Sequence, residues 1–103
     1  MLFYLHFTVE YPIQMTQNQL FSIWQEEAEA ALGAKKAGVV VDLWKVVGER
    51  KVICVVDVAS PDTLDQILFD LPIMKQHGQH VQVEVKALRR YEDFAEDVSA
   101  RLA

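Results

Sequence analysis

Residues 2–10 alternate. Phe3, Leu5, Phe7 and Val9 fall on one side, and Leu2, Tyr4, His6 and Thr8 on the other. A period of two predicts a strand with one strongly apolar face, ended by Tyr11-Pro12. Over residues 16–37 the period lengthens to that of a helix. Leu20, Ile23, Trp24, Ala31 and Ala34 then share one face, Thr16 is an N-cap, and Gly38 ends the helix after Lys35 and Lys36. Residues 39–47 and 51–58 are rich in β-branched side chains and predict two strands, joined at Gly48-Glu49-Arg50 as a tight hairpin. Ser60-Pro61 predicts the start of a second helix with the stripe Leu64, Ile67, Leu68 and Leu71, closed by Leu71-Pro72. Residues 73–80, with Lys75, His77, Gly78 and His80, predict a loop. Val81, Val83, Val85 and Ala87 alternate as a fourth strand. Tyr91, Phe94, Val98 and Leu102 place a short helix over 91–102.

The order βαββαβ, with a helix appended, predicts an α+β, ferredoxin-like domain over residues 1–103. Its four-stranded antiparallel sheet carries two helices on one face. Such a sheet leaves its other face bare, with Leu2, Tyr4 and Trp44 on it. An apolar sheet face usually packs on another subunit, so a homo-oligomer of the dimeric α/β-barrel type is expected.

One residue interrupts the pattern. Glu27 falls inside the apolar stripe of the first helix, one turn after Ile23 and Trp24 and one turn before Ala31. Its neighbours Glu26 and Glu29 point toward water. A carboxylate aimed at a core is costly unless it is paired, protonated or used. Two structural readings stand beside a functional one: pairing with a basic residue of a neighbouring subunit, or reaching solvent at the rim of the stripe.

Composition narrows the classes. The chain has 103 residues, 51% hydrophobic and 24% charged, with a formal net charge of -5 and no basic block. Nucleic acid is therefore not an expected partner, because phosphate neutralisation needs a basic surface. No apolar run is long enough to span a membrane, and the N-terminus lacks the basic region and cleavage site of a signal peptide. A cytoplasmic protein is expected. The single cysteine, Cys54, excludes an intrachain disulfide and reads as a small core residue. His77 and His80 have no third ligand in the pattern, so no metal is expected.

Several strings, in order, resemble the muconolactone isomerase family: MLFYLHFTV at the start, PIQM before the first helix, LWKVVG, and VVDVASPDTLDQILFDLP. The resemblance covers about residues 1–88. It implies a cofactor-free isomerase of aromatic degradation that shifts a double bond in an unsaturated lactone, or in a similar small acid, by proton transfer. Glu27 falls on the family's helix-one glutamate, its favoured acid–base group. Lys45 falls on the basic position of the LW-[RK] string. Lys45 and His6 are candidates to stabilise an enolate oxygen, and Tyr4, Trp24 and Trp44 are candidates to line the substrate. The chain departs from the family at Val52 and Cys54, where Asn and Ser are usual, at Val40-Val41, at Asp65 and in the segment MKQHGQH. A catalytically inactive ligand-binding or oligomeric interaction module on the same fold is the alternative. A cofactor-free monooxygenase or a heme-handling protein of the dimeric α/β-barrel group is a third.

Overall fold

The structure, a computed structural model, describes residues 1–102. Its strands are β1 (Leu2–Val9), β2 (Val40–Lys45), β3 (Lys51–Asp57) and β4 (Val81–Leu88). Its helices are α1 (Gln17–Lys36), α2 (Pro61–Asp70), α3 (Pro72–His77) and α4 (Tyr91–Leu102), with a 3-10 turn at Gly78–His80. The strands form one antiparallel sheet in the order β2-β3-β1-β4, the ferredoxin-like arrangement.

The helix ends follow from sequence. Thr16 Oγ1 accepts from the Gln19 amide while Gln19 Oε1 accepts from the Thr16 amide, a reciprocal capping box. Gly38 leaves α1 at φ +85°, and Gly48 turns the β2–β3 connection at φ +78°, conformations open to glycine at little cost. That connection is wider than the expected three-residue hairpin. β2 ends at Lys45, and the turn closes through the Val46 amide on the Lys51 carbonyl. Ser60 caps α2 through the Thr63 amide, and Pro61 occupies its first turn.

The segment expected as a loop, 73–80, is mostly helical. Pro72 bars its predecessor from helical geometry, so Leu71 is extended (ψ 137°) and ends α2. The same proline is pre-set for a first helical position, so α3 starts at once. Ile73 and His77 are its buried residues. His77 Nε2 lies 2.8 Å from the Glu10 carbonyl, and its ring lies 4.5 Å from that of His80. These histidines knit α3 to the end of β1.

Pairing fixes which side chains share a face. Lys45, Val52 and Phe7 form one cross-strand row under the helices. Leu43, Cys54 and Leu5 form the next row, and Val40, Val56 and Phe3 the third. The main core joins these rows to Val58, Leu64 and Leu68. A second cluster of Val9, Leu20 and Ile73 pins α1 to α3 at the other end. Tyr4, His6, Ile53, Trp44 and Glu84 occupy the opposite face of the sheet.

α4 stands apart. None of its residues is buried, and the molecule measures 61 × 25 × 22 Å.

Candidate functional site

The alanine content of α1 creates the site. Ala30, Ala31 and Ala34 face the sheet where larger side chains would fill the layer. Beneath them a cavity of about 410 Å³ lies between α1, α2 and the three rows. Its walls are aliphatic and aromatic apart from Glu27, Lys45 and the Cys54 thiol. Such a volume and lining suit a small organic ligand.

Glu27 is half-buried on this lining, as its place in the stripe demands. Its Oε2 accepts from the Ile73 amide at 3.1 Å. That amide is one of the first-turn donors that α3 cannot satisfy internally. The carboxyl pKa is raised: burial disfavours the anion and outweighs the opposing Ile73 hydrogen bond. Glu26, one residue earlier, points outward and binds Gln76 Nε2 at 2.5 Å. Two adjacent glutamates thus hold α3 against α1, and one of them faces the cavity.

Lys45 enters from the first row of the sheet. Its Nζ donates to the Val46 carbonyl at 2.8 Å and lies 5.9 Å from the Trp24 ring centroid. It forms no ion pair among the described residues. Trp24 walls the same end and stacks on Phe21 at 6.0 Å. Burial pushes the Cys54 thiol up to about 11, so it stays protonated near neutrality.

Of the six residues singled out from sequence, Glu27, Lys45 and Trp24 line the cavity, with Lys45 beside Trp24. Trp44 borders it from the β2 edge, although its register with Ile53 turns it toward the bare face. Tyr4 and His6 do not reach it. They lie across the sheet, edge to face at 6.4 Å. His6 Nδ1 there sits 3.8 Å from Glu84, and its Nε2 is buried with no partner. The strand alternation already implied this separation. The Ile73 amide has no sequence signature as a donor while 73–80 reads as a loop; the Leu71-Pro72 pair is the available signal for a helix start there.

Fold and site together define a ferredoxin-like protein with a ligand-sized cavity that carries one protonatable carboxyl group. The chain belongs to the muconolactone delta-isomerase family, whose family model matches residues 1–93. It is 31% identical over 97 residues to muconolactone delta-isomerase 2 of Acinetobacter lwoffii, covering 94% of this chain and 97% of that protein. It is 28% identical over 91 residues to muconolactone delta-isomerase of Pseudomonas putida, covering 88% and 91%. The crystal structure of muconolactone isomerase superposes with a TM-score of 0.73 at 29% identity, over 87% of this chain and 90% of that one.

Proposed function

We propose that the protein is an isomerase that moves a double bond in an unsaturated lactone, muconolactone-like, by proton transfer through Glu27. The observation that carries this reading is the half-buried Glu27 carboxyl, raised in pKa, on the wall of an otherwise apolar cavity. As a carboxylate, Glu27 takes a proton from the carbon beyond the double bond, the one conjugated through it to the lactone carbonyl. The electron pair left behind spreads into a dienolate. Glu27, now neutral, returns the proton at another carbon, so the group is restored and nothing is consumed. A carboxyl group whose pKa is raised toward the working pH serves both steps. Lys45, the cationic residue of the lining, offsets the charge of an anionic ligand and of the dienolate. The apolar walls exclude water that would quench the intermediate.

The working unit in this reading is a cytoplasmic homo-oligomer. The chain exposes 7253 Å². A compact monomer of its mass would expose about 5,900 Å². The excess is larger than the roughly 800 Å² a partner contributes to a standard interface. Exposed apolar side chains lie on α4, at Tyr91, Phe94, Val98 and Leu102, and at Trp44 on the bare face. A second copy covering these surfaces accounts for both.

The test is turnover of muconolactone, followed by proton NMR of substrate and product, for wild type and Glu27→Gln. Turnover by the wild type and its loss in the variant support the proposal. Equal activity in both removes Glu27 from the reaction. No turnover in either, with ligand still bound, leaves the ligand-binding module as the function.

A further inference from the structure

We propose that the ligand of this cavity is an acid with an apolar tail: a lactone acid carrying an alkyl or aryl substituent of several carbons. The inference rests on the reading of Glu27 and Lys45 given above, and it concerns the part of the cavity those residues do not use.

The cavity has two unlike parts. Its charged lining groups are Glu27 and Lys45, and Lys45 lies beside Trp24 in the row that contains Val52. From Val52 to Val56 the sheet runs on for about 13 Å, at some 3.3 Å per residue. Along that path the lining offers no charged group. On the opposite wall α1 advances about 10 Å from Glu27 to Ala34, at 1.5 Å per residue. Its cavity-lining positions there are Ala28, Ala30, Ala31, Leu32 and Ala34. The rest of the lining forms an apolar slot whose walls include Leu64 and Val58.

A compact polar lactone acid occupies the space beside the charged groups and leaves the slot empty. Water in the slot would find no hydrogen-bond partners among the aliphatic side chains, and an unfilled apolar void forfeits dispersion contacts. An apolar substituent removes both penalties. The ligand's carboxylate and lactone then lie between Lys45 and Glu27, and its tail runs beneath Ala31.

Calorimetry on the full chain with a saturated γ-lactone acetic acid and its methyl, propyl and pentyl ring derivatives tests this without any turnover. Each buried methylene is expected to tighten binding about fourfold, from ~0.8 kcal/mol per CH2. Affinity that is flat or falls along the series overturns the proposal. Ala31→Leu, which fills the slot, is expected to flatten the series, with a thermal melt confirming that the variant is folded. A folded Ala31→Leu with the full gain also overturns it. Proton exchange by the wild type on the unsaturated, unsubstituted lactone, measured in parallel, separates the two claims. A length gain without any proton exchange by the wild type retains the ligand class and removes the isomerase. Exchange on the unsubstituted lactone without a length gain does the reverse.

Discussion

Glu27 Oε2 accepts the Ile73 amide at 3.1 Å, which ties the cavity's carboxyl group to the first turn of α3. One contact thereby orients the carboxyl group and anchors a helix. Glu27→Ala is expected to destabilise the protein by about 1 kcal/mol, because it strands a part-buried donor. Glu27→Gln keeps an acceptor oxygen and is expected to cost less. Urea unfolding of the three proteins checks the order; equal losses in both variants would contradict it.

Stability should depend on Glu27 with a definite sign. Its folded pKa lies above the ordinary glutamate value. Below the ordinary value both folded and unfolded chains hold the proton, and the contribution is fully present. Between the two values the folded chain retains the proton that the unfolded chain has lost. Stability therefore falls as pH rises through the folded pKa. The difference in midpoint between wild type and Glu27→Gln should shift against the wild type from the ordinary glutamate range upward. A difference independent of pH would show an unshifted carboxyl group.

Cys54 should be inert in the folded protein. It is buried, and its thiol is pushed up to about 11. At pH 8 a bulky thiol reagent, too large for the cavity, is expected to label it far more slowly in the native protein than in denaturant, because little thiolate is present. Fast labelling of the native protein would place the thiol in an open site.

The apolar stripe of α4 should hold the oligomer together. Phe94→Asp with Val98→Asp is expected to shift the sedimentation of the protein toward the monomer. The far-ultraviolet signal should stay close to that of the wild type, because neither side chain is buried in the isolated chain. An unchanged oligomer would place the interface elsewhere.

Most of this fold is legible in the sequence because its patterns are local. Alternation in β1, the capping residues Thr16 and Ser60 and the glycines at 38 and 48 each declare an element without help from distant contacts. Glu27 was legible for the same reason, since one helical stripe is enough to show a misplaced charge. What escaped was long-range. α3 is only six residues long, too short for a helical period to stand out, and tertiary contacts hold it: Ile73 in the core and His77 on the Glu10 carbonyl. The roles suggested for His6 and Tyr4 came from residue type. Alternation already assigned them to the face away from the cavity, and the register with Ile53 and Val55 places them there.

In the proposed reaction Glu27 moves a proton on and off carbon. Solvent deuterium incorporation into muconolactone, followed by proton NMR, measures this directly. The wild type is expected to incorporate deuterium at the carbons flanking the shifting double bond. The rate should rise with pH to a plateau, with a midpoint above the ordinary glutamate value, and Glu27→Gln should incorporate none above the uncatalysed background. Incorporation by Glu27→Gln at the wild-type rate would contradict the account.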